Sequence, residues 1–174
     1  MWSRFHRIFS RTLSLLALAL LLGSRMAAGD EFGREGNLEI FIRSDKPVYT
    51  FGESVVLTLT LKNNTNESFF VNRRFNASND LRWEIFLDPE GFLTVRPGPD
   101  QKPSDNDYIL LKPGEEIEKV FPNLAEIVRE KLKKGLYGLR ITYFNRDQRK
   151  GPQTWTGEIV SNRLSIQIKS GQKI

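Results

Sequence analysis

One alternating run limits what this chain can fold into more than any other feature. Residues 46–65 read KPVYTFGESVVLTLTLKNNT: a turn, a long strand and a second turn. Val55, Leu57, Leu59 and Leu61 fall on one face, because side chains along a strand alternate with a period of two. Val56, Thr58, Thr60 and Lys62 fall on the other, and β-branched residues fill the run. On a helix, at about 3.6 residues per turn, the same four apolar positions would spread around the cylinder. The run therefore predicts a half-buried strand over 54–62, with the core on its leucine face.

Similar strands follow at short intervals. Leu38, Ile40 and Ile42 alternate with Glu39 and Arg43 and predict a strand over 37–43. SFFVN predicts another at 68–72, and Leu81, Trp83, Ile85 and Leu87 mark a third, with Arg82, Glu84 and Asp88 on its other face. The turn DPEG at 88–91 closes that strand into a hairpin with 92–95; Pro89 presets φ and Gly91 can take the left-handed conformation. The segment 96–107 holds three prolines and no large apolar side chain before Tyr108, so it reads as an exposed loop.

Strands at 108–111 and 115–121 are expected to pair across a turn at 112–114. Leu124, Ile127, Val128 and Leu132 recur at helical spacing, with Asn123 as N-cap and Gly135 beyond the end, predicting one short helix over 124–133. It would pack across an open end of the fold. Leu139, Ile141 and Tyr143 mark a strand at 136–144, 145–153 is a turn, and WTGEIVSN leads to a last strand carrying Leu164, Ile166 and Ile168. Short strands with regular turn punctuation are the pattern of an all-β, Ig-like antiparallel β-sandwich with Greek-key links.

The first 29 residues stand apart. Arg4, Arg7 and Arg11 precede the apolar run LSLLALALLL at 13–22, and small residues follow at Ala27, Ala28 and Gly29. This is the layout of a secretory signal peptide, with cleavage expected after Ala28 or Gly29. The apolar run is short of the roughly 20 residues a spanning helix needs, and Arg25 lies just beyond it. No stable membrane span is expected after cleavage. Residues 30–174 are then expected to form a single domain, secreted or periplasmic.

Removing the leader changes the charge. The chain has 26 basic and 21 acidic residues, net +5; four arginines and no acid lie in 1–29, leaving 22 against 21, net +1. The basic excess belongs largely to the export signal, so nucleic acid is not an expected partner. The clusters at Lys131, Lys133 and Lys134 and at Arg146, Arg149 and Lys150 read as solvated surface, as do Glu115, Glu116 and Glu118.

Composition also removes most catalytic chemistry. The only histidine is His6, in the leader, and there is no cysteine. Residues 30–174 therefore lack a Ser-His-Asp triad, a thiol nucleophile, and imidazole or thiolate ligands for zinc. Paired carboxylates could still run hydrolysis, but no spacing brings two together. No catalytic, cofactor-binding or metal-ligating residue is assigned, and no cofactor is expected. Asp105-Asn106-Asp107 with Asp100 offers oxygen ligands but lacks the glycine and terminal glutamate of an EF-hand loop. Trp83 is in phase with the core; Trp155 sits after a polar turn and could pack or stack on a sugar. Tyr49, Tyr137 and Tyr143 read as packing residues. Asn63, Asn66 and Asn76 each begin an Asn-x-Ser/Thr sequon.

The segment SDKPVYTFGESVVLTLTLKN resembles the opening strands of macroglobulin domains of the α-2-macroglobulin and complement family. Asp45, Lys46, Pro47, Tyr49, Gly52 and Val55 match that pattern, and Phe51 stands where proline is usual. KPGEEIEKVF and KKGLYGLRITY resemble runs of small bacterial Ig-like domains, some of them shared with bacterial intracellular proteinase inhibitors. WTGEIVSN resembles the close of exported bacterial domains. The resemblance covers most of 38–169 and implies an Ig-like fold. It does not bring the macroglobulins' thioester, which needs a cysteine; an inhibitor of the small kind would act through a protruding loop, here 96–107.

The function expected from the sequence is that of an exported, non-catalytic binding or accessory module, contacting another envelope or extracellular protein through end loops or an exposed sheet edge. The alternatives are a protease inhibitor acting through 96–107 and a carbohydrate-binding module.

Overall fold

In the folded chain the alternating run forms the middle of a sheet. The computed structural model describes residues 34, 35, 38–77, 79–96, 98 and 101–171. These lie in one compact unit, Phe32–Ile174. The leader assigned to 1–29 and the side chain of Asp100 lie outside the described residues.

The strands are β1 (Arg34–Glu35), β2 (Leu38–Ser44), β3 (Val48–Thr50), β4 (Leu57–Asn63), β5 (Phe69–Asn72) and β6 (Leu81–Asp88). They continue as β7 (Gly91–Phe92), β8 (Tyr108–Leu111), β9 (Glu116–Phe121), β10 (Gly135–Asn145), β11 (Gly157–Val160) and β12 (Leu164–Lys169). One sheet runs β1-β2-β4-β9, a second runs β3-β12-β10-β6-β7 with β11 also on β10, and β5 pairs β8 separately. The fold is an Ig-like β-sandwich. Among the described residues no helix is long and apolar enough to cross a membrane.

The leucine face of β4 is buried at Leu57, Leu59 and Leu61, while Thr58, Thr60 and Lys62 are half-exposed. Burying each leucine stabilises the fold by roughly 1.5–3 kcal/mol. The opposite wall comes from β6 and β10, registered Leu81↔Tyr143 through Leu87↔Tyr137. Their inward side chains, Leu81, Trp83, Ile85, Leu87, Tyr137, Leu139, Ile141 and Tyr143, are all buried. The long β10 is flanked on its other side first by β12 and then by β11.

Several boundaries differ from the sequence expectation. Val55 and Val56 precede β4; Val55 is buried, and its carbonyl accepts from the Leu124 amide at 2.9 Å instead of joining a strand. The strands at 108–111 and 115–121 do not pair with each other: β8 pairs β5, and β9 pairs β4. Asn63 directs this. Its amide donates to Glu115 O (3.0 Å), its carbonyl accepts from Gly114 N (2.8 Å), and its side-chain amide donates to Leu111 O (2.9 Å). The turn is thereby fastened to the end of β4, and the chain leaves it in a different sheet.

The helix expected over 124–133 is one turn, α1 (Leu124–Ile127). Its N-cap is the one expected, with Asn123 Oδ1 accepting from Ala125 N at 3.1 Å. It stops because the backbone beyond it finds a strand-like partner. Val128 bridges Val95, the Arg96 amide donates to Ile127 O (2.7 Å) and the Arg129 amide donates to Thr94 O (2.8 Å). Gly135, expected beyond the helix end, instead opens β10 at φ +153, where an added Cβ would meet Leu87 Cδ1 at 2.5 Å.

The hairpin at 88–91 forms, with Gly91 at φ +102 and a cis Asp88–Pro89 bond. One strand pair departs from the antiparallel expectation. After β2 the turn at 45–47 carries the chain to the second sheet, where β3 runs parallel to β12, Val48↔Gln167 through Thr50↔Lys169.

Candidate functional site

The aromatic residues singled out in the sequence are mainly structural. Trp83 is buried and meets Phe121 edge-on, with ring centroids 5.0 Å apart. Trp155 is half-buried and lies nearly parallel on Tyr143, 5.5 Å away at 18°, so one face of the ring that could have received a sugar is already taken by the protein. Tyr143 Oη accepts from the Asn72 amide and donates to its carbonyl, both at 3.1 Å. Tyr137 Oη accepts from the Lys133 amide (2.8 Å) and donates to the Lys133 carbonyl (2.9 Å), while Tyr49 donates to the Asp45 carboxylate.

Burial, aided by Asp45, pushes the Tyr49 phenol up to about 12. Burial also raises Tyr108, Tyr137 and Tyr143. These are all four tyrosines of the chain. A phenol held above its ordinary pKa of about 10 contributes stability that is complete below pH 10 and is lost as pH rises through the folded value. Alkaline unfolding is therefore expected between about pH 10 and 12, with phenolate absorbance appearing only as the fold is lost. Stepwise ionisation of the rings near pH 10 in an intact fold would contradict this packing.

The acidic triplet has other duties. Asp107 accepts from the Ser104 amide (2.6 Å) and hydroxyl (2.8 Å), and Asp105 lies 3.5 Å from Lys150 and 4.0 Å from Arg149. Among the described residues no three His, Cys, Asp or Glu side chains gather as metal ligands would. Of the sequon asparagines, Asn63 is buried with its amide engaged, Asn76 is half-buried and Asn66 is exposed.

A buried polar cluster orders the chain after β5. Asp80 accepts from Arg74 Nε (3.0 Å) and Nη2 (2.9 Å), Asn72 Nδ2 (2.9 Å) and the Asn76 amide (2.8 Å). Phe75 lies between these contacts in the left-handed region at φ 47, its ring buried edge-on to Tyr143. Arg74 Nη1 and Asn79 Nδ2 also donate to Gln101 O at 2.7 and 3.0 Å, fastening the second part of the 96–107 loop. Nothing in the sequence pattern marks this cluster; only its Asn and Asp content, typical of turns, hints at it.

Beside it is a cleft of about 290 Å³, lined by Arg96, Gly98, Asn76 and Glu126 above Phe121 and Ile127. Among the described residues Glu126 is the only carboxylate in that lining.

The free side of β9 is an edge, as the sheet order ends there. Its exposed side chains include Glu116, Glu118 and Lys119, and Lys119 occupies the inward register opposite Leu59. An inward-pointing lysine on an edge strand opposes pairing with another chain.

The outer face of the second sheet is different. Phe92 (75 % exposed), Phe86 and Leu136 (49 %) lie on β7, β6 and β10, Val48 lies on β3, and Phe51 (53 %) follows it. Phe86 and Phe92 are paired across the hairpin and touch edge-on at 5.4 Å. Leu136 lies between Asp88 and Gln167, and Gln167 lies beside Val48. Adjacent strands are roughly 4.8 Å apart, so this row of five strands spans on the order of 19 Å. Four of the eight large hydrophobic side chains exposed among the described residues lie on this face, and a fifth, Phe51, lies in the turn at its β3 end.

No family model matches the sequence, and no curated protein does. Solved structures that resemble the fold include the CARDB domain of a Pyrococcus furiosus protein, solved in complex with di-metal ions. It is 10 % identical, with a TM-score of 0.40, over 78 % of this chain and 94 % of that one. Another is a chain from the complex of the Salmonella enterica SafA pilin with the SafB chaperone. It is 8 % identical, with a TM-score of 0.35, over 81 % of this chain and 59 % of that one.

Proposed function

We propose that residues 30–174 form an exported, non-catalytic binding module that contacts another envelope or extracellular protein through the outer face of the β3-β12-β10-β6-β7 sheet. The exposed Phe86, Phe92, Leu136 and Val48 on one sheet face, with Phe51 in the turn at its β3 end, carry this reading. A contiguous exposed apolar surface with polar surroundings is the usual mark of an interaction site. The charged β9 edge is a poorer candidate for strand addition. Inhibition through 96–107 is disfavoured by the bonds from Arg74 and Asn79 that hold Gln101 back. Sugar binding is disfavoured by the Tyr143 ring against Trp155.

The test is photo-crosslinking in the envelope and medium of the producing cells. A benzophenone side chain is placed at Phe92 and, as a control, at Phe41, which is exposed on the other sheet. Position 92 is expected to give a discrete protein adduct that position 41 does not. Adducts from 41 alone would move the site to the other sheet. An absence of protein adducts from both would overturn the binding reading.

A further inference from the structure

The same face has a gap at its centre. Gly138 lies in the middle of β10 on the outer side, directly opposite Phe86 on β6 and Ser165 on β12. Its φ is outside the left-handed region, and a Cβ built there meets nothing within 4 Å. The backbone does not need glycine at this position, and no internal neighbour excludes a side chain. A glycine inside a strand weakens it, and close approach of another backbone or ligand is one of the reasons strands keep one. Gly138 and Ser165 form a low floor bordered by Phe86 and Leu136.

Charge narrows what comes close. Lys134, just before β10, is exposed and sits 5.7 Å from the centre of the Phe51 ring. Lys169, on β12 opposite Thr50, is exposed at the same end of the sheet. Neither is in an ion pair among the described residues, whereas their neighbour Lys133 is matched by Glu90 at 2.5 Å. Asp88 is on β6, two strands from β12 and so about 10 Å from the Lys169 column. The patch is basic toward β3 and β12 and acidic toward the β6–β7 turn. A flat anionic bilayer would meet Asp88 together with the two lysines, Glu90 being already matched by Lys133. A peptide can place its carboxylates over the lysines alone.

We propose that this face seats an acidic amphipathic segment of a partner protein. Its backbone approaches closest over Gly138, its apolar side chains lie against Phe86, Phe92 and Leu136, and its carboxylates lie against Lys134 and Lys169. This rests on the binding reading above and adds the chemistry of the partner.

The test uses fluorescein-labelled peptides of about twelve residues, enough to cross the sheet face, with Leu at the alternate positions of one half, Glu at those of the other half and Ser between them, so that both kinds of side chain share one face; the control is the same peptide with Lys for Glu. The acidic peptide is expected to bind at least about tenfold more tightly at low salt, and the preference to reverse in the Lys134→Glu/Lys169→Glu variant. Gly138→Thr is expected to keep or raise the denaturation midpoint, as a β-branched residue suits an open strand position, while losing peptide binding. Equal binding of both peptides, or unchanged binding by Gly138→Thr, would overturn the proposal. So would binding to phosphatidylglycerol–phosphatidylcholine vesicles that Phe92→Asp abolishes, or self-association through the same face. If the adduct at position 92 persists while the peptide results go against it, the partner chemistry alone fails. If that adduct is absent, the underlying reading fails as well.

Discussion

Leu57→Asp is expected to unfold the domain, whereas Thr58→Asp beside it is expected to yield a folded protein within about 1 kcal/mol of the parent. Leu57 is fully buried at 0 % exposure, registered between Ser44 on β2 and Phe121 on β9. A carboxylate there would face the hydrophobic core with no cation in register, and the Ser44 hydroxyl beside it already donates to Lys46 O at 2.8 Å. Burying an unpaired charge costs several kcal/mol at least, and the lost leucine burial adds to it. Against a total stability of about 5–15 kcal/mol, that is enough to depopulate the native state. Thr58 is half-exposed on the opposite face, between Arg43 and Val120. An aspartate at that position stays hydrated and gains a neighbouring cation. Denaturant melts of the two variants read the outcome directly. Equal loss would mean that both faces of β4 are buried and that the alternation does not define the core.

What made β4 legible also made β2, β6, β10 and β12 legible. Each has one buried face, and a one-residue slip would expose its whole apolar set, so the period-two pattern is strongly specified. The pattern carries no information about which strand lies beside which. The strands at 108–111 and 115–121 look like a hairpin because a Pro-Gly turn joins them. Their separation depends on hydrogen bonds from Asn63, some fifty residues earlier in the chain. The helix over 124–133 failed for a related reason. Ile127, Val128 and Leu132 fit a helical stripe, but bonding to 94–96 draws the backbone into an extended path that also buries Val128 and partly buries Leu132. Tertiary pairing overrode local periodicity.

The candidate surface was only partly visible in the sequence. Phe86, Phe92 and Leu136 are unremarkable one by one, as outward residues on alternating strands. They become a patch only when the register places β7, β6 and β10 side by side. Lys133 and Lys134 were legible as a charge cluster. That Lys133 is neutralised by Glu90 and Lys134 is not depends on the fold. The loop at 96–107 is solvent-facing over its described residues outside the half-buried Pro103 and Asp107, as its prolines and polar side chains predict. Its attachment through Gln101 depends on Arg74 and Asn79, which carry no long-range signal.

Asp80→Ala is expected to cost about 3–5 kcal/mol, the effect of removing one partner from a buried ion pair. The side chains of Asp80 and Arg74 are only 5 % and 15 % exposed, and the carboxylate takes four hydrogen bonds within 3.0 Å. Without it the guanidinium is left in a poorly hydrated site with, among the described residues, the Gln101 carbonyl as its one remaining acceptor, and the Asn72 and Asn76 donors lose their partner. Arg74→Ala should cost less, because Asp80 keeps the Asn72 side-chain amide and the Asn76 backbone amide. The double variant Arg74→Met/Asp80→Leu removes both charges and should recover much of the loss in Asp80→Ala, since a buried pair can be replaced by apolar groups at little cost. Urea midpoints of the three variants give the order. The loop gives a second readout, because losing Arg74 also removes a donor to Gln101. An Asp-directed protease should therefore cut before Asp105 faster in both arginine variants, under conditions where they remain folded. A midpoint for Asp80→Ala close to that of the parent would mean that water hydrates the cluster freely. The left-handed Phe75 would then be held by its packing against Tyr143 alone.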